Sequence, residues 1–154
     1  MEYLIFKWLH ILSSTFLFGT GIGSAFYMLF TSFSRDVRAI AVVSRYVVLA
    51  DWIFTSTTVV LQPLTGFYLI HLAGVPLHSR WIMWSLALYL VAGACWLPVV
   101  WMQIRMRDMA QAAARDNTEL PALYWRYLRI WVALGIPAFV SLVAVFWLMV
   151  AKPV

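Results

Sequence analysis

The sequence predicts an all-α polytopic membrane protein: one four-transmembrane-helix bundle with both termini outside. Three observations carry this. The chain of 154 residues is 64% hydrophobic and only 11% charged, whereas charged residues make up about a quarter of a soluble domain. It holds four apolar stretches, residues 4–33, 47–73, 81–104 and 130–150, each long enough for the roughly 20 residues that span a bilayer. Its positive charge is also one-sided. Arg35, Arg38, Arg45, Arg105, Arg107, Arg115, Arg126 and Arg129 sit in the first and third connections, against Lys7, Arg80 and Lys152 on the other side. Arginine-rich connections stay cytoplasmic, so both termini and the turn holding His78 are placed on the outer side of the membrane. Nine Trp and seven Tyr suit two membrane–water interfaces.

In the first stretch His10, Ser14, Leu17, Gly21 and Ala25 fall on one helical stripe, with Ser13 and Ser24 at its edge. Small residues on a stripe let a neighbouring helix or a flat ligand come close. An imidazole in hydrocarbon is costly without a partner and marks a functional site by default. The run is longer than the roughly 7–15 apolar residues of a cleaved leader, so it is expected to remain as a span.

The second stretch has a polar stripe of its own: Asp51, Thr55, Thr58, Gln62 and Gly66. A carboxylate inside a membrane should face the bundle interior. Two readings stand for Asp51: an ion pair with an arginine such as Arg45 or Arg129, or a proton-handling or substrate-contacting acid. Its place near the cytoplasmic interface puts the ion pair first. At about 1.5 Å per residue in a core about 30 Å thick, His10 and Asp51 lie roughly 15 Å apart along the membrane normal, so they are no acid–base dyad. The antiparallel register sets Gly66 level with His10 and Gln62 a turn deeper.

The third stretch should continue as helix through Arg115 until Asp116 and Asn117 break it. Pro121 then precedes Tyr124-Trp125-Arg126-Tyr127, which reads as an aromatic-basic girdle at the headgroups before the fourth stretch. Pro63, Pro98 and Pro137 should kink spans two, three and four. Gly19 and Gly23 form a GxxxG step, a helix-contact or dimer face offset from the His10 stripe. The net charge of +5 is a topology signal rather than a footprint for nucleic acid. The single Cys95 excludes an internal disulfide and a Cys-based zinc site. No nucleotide loop, nucleophile elbow or His-Glu-x-x-His pattern occurs.

An imidazole facing small residues fits an axial ligand over a flat macrocycle. It fits equally a histidine hydrogen-bonded to Ser14 or Gln62 in a tight bundle. On the first reading His10 ligates heme b, Gly21 and Gly66 make room for the macrocycle, and Gln62 supplies a hydrogen bond beside it. His71, at the outer end of span two, is then the choice for a second ligand, although an undistorted helix points it off the interior stripe.

Phe6-Lys7-Trp8-Leu9-His10, Leu17-Phe18-Gly19-Thr20-Gly21, Leu49-Ala50-Asp51-Trp52, Gln62-Pro63-Leu64-Thr65-Gly66, Gly93 to Trp101 and the ending Leu148 to Pro153 resemble an uncharacterised bacterial family. That family is one of predicted integral membrane proteins, a domain of unknown function, and the likeness covers nearly the whole chain. More distantly, Lys7 and His10 in a four-span protein are similar to the opening of HemJ, a heme-containing protoporphyrinogen oxidase, and of the CopD copper-resistance proteins. That likeness implies a role for His10 in heme binding. HemJ-like proteins also use a lysine in a later span, and no lysine lies in spans two to four here.

Two functions follow as expectations. One is a small cytochrome-like redox protein or membrane oxidoreductase with heme b on His10, assembling as a homodimer or with a membrane partner subunit. The other is a non-catalytic membrane subunit or small-molecule permease without cofactor, in which His10, Asp51 and Gln62 satisfy one another and the backbone.

Overall fold

The first connection is far shorter than its charge pattern implies. In the computed structural model, which describes residues 1–153, α1 (Glu2–Ser34) ends at Arg35 in the left-handed conformation. Asp36 then caps α2 (Val37–Ala50), its carboxylate accepting from the amides of Arg38 and Ala39. Residues 37–45, expected as a basic loop, are therefore helix. Ile40, Ala41, Ser44, Val47 and Val48 recur every three or four residues and give that helix a buried face. Asp51–Thr55 winds as a single π-turn, and α3 (Ser56–Ala73) carries the rod on to Gly74, whose φ of 63° ends it. After the outer turn, α4 (Arg80–Asp116) covers the whole third stretch and stops at Asn117, as the Asp-Asn pair predicts. Pro121 starts α5 (Ala122–Ala151), so most of the second arginine-rich connection is helix too. The described residues contain no strand. By length and composition α1, α4 and α5 can each cross a membrane.

The helices pack as two antiparallel pairs, α1 along α3 and α4 along α5, while α2 bridges α1 and α4. Contacts between the two pairs themselves are sparse. The buried core gathers where α2 bridges them, around Met28, Ile40, Met102, Met106, Tyr124 and Leu128. Tyr124 was expected in a headgroup girdle; it is instead fully buried, and its hydroxyl shares a 2.8 Å hydrogen bond with Ser32 Oγ. Ser32 in turn donates to the carbonyl of Met28. The girdle reading fits its neighbours better, for Arg126 is exposed and Trp125 lies under the Arg35 guanidinium.

One packing detail follows directly from a proline. Pro63 has no N–H, which leaves the carbonyl four residues earlier, Val59, without its helical donor. Tyr89 of α4 supplies one: its hydroxyl donates to Val59 O at 2.7 Å. A neighbouring helix thus repairs the backbone where α3 is interrupted.

Candidate functional site

The α1–α3 seam is where His10 sits. The α1 residues buried along the helix are Ser13, Leu17, Ser24, Met28 and Ser32, so Ser13 and Ser24 are the centre of the interior stripe and not its edge. Ser14 is turned aside, its hydroxyl donating to its own helix at Ile11 O. On α3 the seam is met by a stripe of 3.5-residue period, Asp51, Thr55, Thr58, Gln62 and Thr65, all buried. The expected register holds: an added Cβ on Gly66 would lie 3.3 Å from His10 Cε1, and Gln62 reaches Ser13 one turn deeper.

His10 Nδ1 and Thr65 Oγ1 are 2.8 Å apart. Thr65 Oγ1 also lies 2.7 Å from Leu61 O; with its hydrogen on that carbonyl, Nδ1–H is the donor and Nε2 keeps its lone pair. Gln62 donates to both His10 O and Ser13 Oγ, at 2.9 and 2.6 Å. These contacts correct two expectations. The His10 ring is hydrogen-bonded to Thr65 and to neither Ser14 nor Gln62, and it packs against Gly66. A porphyrin stacked at Gly66 would collide with its own ligand. His71 is exposed in the last turn of α3, where its carbonyl accepts from Gly74 N–H. The described residues bring no group of three or more His, Cys, Asp or Glu together around a metal.

Asp51 opens the π-turn. Such turns insert one residue into a helix and recur at functional sites. Here the Ser56 amide and hydroxyl both reach Asp51 O, and Thr55 Oγ1 donates to Asp51 Oδ1 at 2.8 Å. The ion pair expected with Arg45 or Arg129 is absent: both arginines are exposed, and the one salt bridge among the described residues joins Arg107 and Asp108. Asp51 is therefore a buried carboxylate whose Oδ1 accepts from the Thr55 hydroxyl, while its main-chain carbonyl takes both Ser56 bonds.

Beside it lies a large open space. Between the two helix pairs runs a cavity of about 490 Å³, walled by α1, the π-turn, α3, α4 and α5. That volume is in the range of small-molecule sites, roughly 300–1,000 Å³. Gly21, Gly93 and Gly135 make it, one from each of three helices; no atom lies within 4 Å of a Cβ added to any of them. Gly21 thus opens space as expected, but away from His10, which does not border the cavity. The walls are apolar and aromatic except at one end. Asp51, Gln103 and Trp131 are each the lining residue nearest the arginine-rich end on their own segment, with Thr55 one turn beyond Asp51. Three polar atoms of its lining residues, Trp96 Nε1, Gln103 Oε1 and Trp131 Nε1, are buried away from that open space and have no hydrogen-bond partner among the described residues. Each such atom costs about 1–3 kcal/mol when left unpaired.

Gln103, Trp131, Thr65, Gly93 and Gly135 were not singled out from the sequence. Gln103 alone carried a legible signal, a lone amide in an apolar run seven residues, or two turns, after Trp96.

Residues 4–153 match a protein family described as "Predicted integral membrane protein (DUF2269)". No curated protein and no solved structure matches the chain.

Proposed function

The chain belongs to the DUF2269 family of predicted integral membrane proteins, and from that premise we propose that it is a non-catalytic membrane bundle that binds an apolar small molecule between its two helix pairs. The observation that carries this reading is the cavity opened by Gly21, Gly93 and Gly135. A void of this size in a membrane bundle, lined by aromatic side chains and ending at a carboxylate on a π-turn, has the make-up of a ligand site. It supports the permease-type alternative, because the largest open space described borders no histidine.

In this reading the protein crosses a bacterial inner membrane four times. The helical rod of α2, the π-turn and α3 supplies the fourth span through residues 47–73. All eight arginines of the two connections lie toward the end where α2 bridges the bundle, which supports termini on the extracytoplasmic side.

The test uses the full chain in nanodiscs and methyl 9,10-dibromostearate, an apolar probe whose bromines quench nearby indoles. Saturable quenching is expected, and Gly21→Leu and Gly135→Leu should abolish it without lowering thermal stability, since both side chains fill existing space. Unchanged quenching in the two filled variants would refute the site. A Soret band in the purified protein, lost in His10→Ala, would restore the heme b redox reading in its place.

A further inference from the structure

One acid of this chain lies inside the bundle, and no cation pairs with it. We infer that Asp51 is a proton-binding site: a neutral carboxylic acid at neutral pH, set where the rod, α4 and the central cavity meet. Its basis is the placement of Asp51, independent of what the cavity binds.

The two carboxyl oxygens have different tasks. Asp51 is 6% exposed, whereas Glu2, Asp36, Asp108, Asp116 and Glu119 all face outward. Thr55 has one hydroxyl hydrogen and donates it to Oδ1 at 2.8 Å, so Oδ1 serves as the carbonyl oxygen and Oδ2 is left to carry the proton. The π-turn fixes this arrangement, because both Ser56 bonds to the Asp51 main-chain carbonyl pin the backbone that presents the side chain. Gln103 borders the same two spaces as Asp51, the central cavity and a narrow cleft toward Val48, Ser56 and Val100. An amide is a partner for either state of the acid: its NH2 donates to a carboxylate and its oxygen accepts from a carboxylic acid. Gln103 Oε1 has no hydrogen-bond partner among the described residues, so no bond of that oxygen opposes a turn of the amide.

Charge makes the assignment. A carboxylate taken out of water needs a cation beside it or becomes neutral. No Lys, Arg or His shares either lining with Asp51. The ionisable groups of each neighbouring helix are engaged or turned elsewhere. Tyr27 of α1 and Arg45 and Tyr46 of α2 are exposed, and α3 has none before Tyr68. On α4, Arg105 lies over Trp101 and Arg107 pairs with Asp108. Tyr89 does share the cavity, but it is about 20 Å along α4 from Gln103 and bonded to Val59 O. On α5, Arg129 is exposed, Tyr124 bonds to Ser32 and Tyr127 packs on Trp101. With no side-chain cation in reach, a proton neutralises the group.

The experiment is infrared spectroscopy of the full chain in nanodiscs of ether-linked lipid, whose bilayer adds no ester carbonyl. At neutral pH the wild type should show one carboxylic acid C=O band that shifts in D2O, and Asp51→Asn should lose it entirely. Glu119→Gln, which alters an exposed acid, should leave the band in place. Gln103→Leu removes the acceptor and should move the band to higher frequency; a band that stays put would overturn the part given to Gln103. Should Asp51→Asn not fold, dicyclohexylcarbodiimide decides without a variant. This lipophilic reagent adds to protonated carboxyls, and its N-acylurea should be found on Asp51 and on no exposed acid. Absence of an acid band in the wild type, a band that survives Asp51→Asn, or label on the exposed acids alone would overturn the inference. Each of those results would leave the quenching test of the cavity untouched, and failure of that test would leave the proton site standing.

Discussion

The two ends of this bundle are built on opposite principles. Where α2 bridges α1 and α4, large side chains interdigitate: Tyr124 and Met106 are wholly buried and Met28 and Ile40 nearly so. Past that clamp the two pairs meet at few points, among them Phe18 on Phe139 and Phe146 and the Tyr89 hydroxyl on Val59 O, and glycines and alanines from three helices leave open space between them. The α1–α3 pair is joined by polar contacts among Gln62, Ser13, His10 and Thr65, and the α4–α5 pair by packing such as Trp101 on Tyr127. The clamp holds the pairs together and the seams hold each pair straight. The cavity between them is therefore a supported void and not a packing defect.

The largest effect that can break this contrast is at the clamp. Lipid tails are as apolar as a leucine side chain, so burial gives helices little hydrophobic drive to associate. What truncation costs is mainly the cavity term, about 24 cal/mol per Å³. Tyr124→Ala removes a full ring and the Ser32 partner, and should cost about 3 kcal/mol in a reversible unfolding titration. Leu142→Ala, which only enlarges a void that already exists, should cost under about 1 kcal/mol by the same scale. Equal costs would mean that both ends are packed alike.

A smaller effect sharpens the account of how the pairs stay registered. Tyr89→Phe strips the donor from Val59 O and should destabilise by about 1 kcal/mol, the scale of interhelical hydrogen bonds in membranes. In a Pro63→Ala background the helical N–H returns to that carbonyl, and Tyr89→Phe should then cost close to nothing. The double-mutant cycle reads the difference as a coupling between the two positions. Additive costs would show that the Tyr89 hydroxyl serves some other purpose.

The bundle was legible because its signals are compositional and long: apolar runs, one-sided arginines and the Asp116-Asn117 stop act over many residues. Register between α1 and α3 was legible too, since rise per residue alone sets Gly66 beside His10. What escaped was anything decided between helices. Asp51-Trp52-Ile53-Phe54-Thr55 has no composition that announces a π-turn; the extra residue is accommodated by Ser56 and Thr55 bonding back to Asp51. The α1 stripe was centred on the wrong side because His10 drew attention to itself, while Ser13 and Ser24 are the residues that meet a neighbour. Glycine is frequent in membrane helices, so Gly93 and Gly135 are uninformative singly. They gain meaning only when three helices bring them to one place.

The smallest predicted effect bears on the point where expectation and structure parted most. Gly21 and Gly66 were both expected to make room for a macrocycle, yet they do different things. A Cβ at Gly21 meets no atom within 4 Å, so Gly21→Ala should stabilise the helix by roughly 0.5–1 kcal/mol through reduced backbone entropy. A Cβ at Gly66 meets His10 Cε1 at 3.3 Å. That ring is tethered through Nδ1 to Thr65 and cannot retreat without giving up the bond, so overpacking should outweigh the helix gain and leave Gly66→Ala about 1 kcal/mol less stable. Thr65→Val would release the tether, and the penalty of Gly66→Ala should fall in that background. Opposite signs at the two glycines, measured by thermal unfolding, would place the imidazole where the geometry has it. A neutral Gly66→Ala would mean a loosely held ring, free to turn out of the seam.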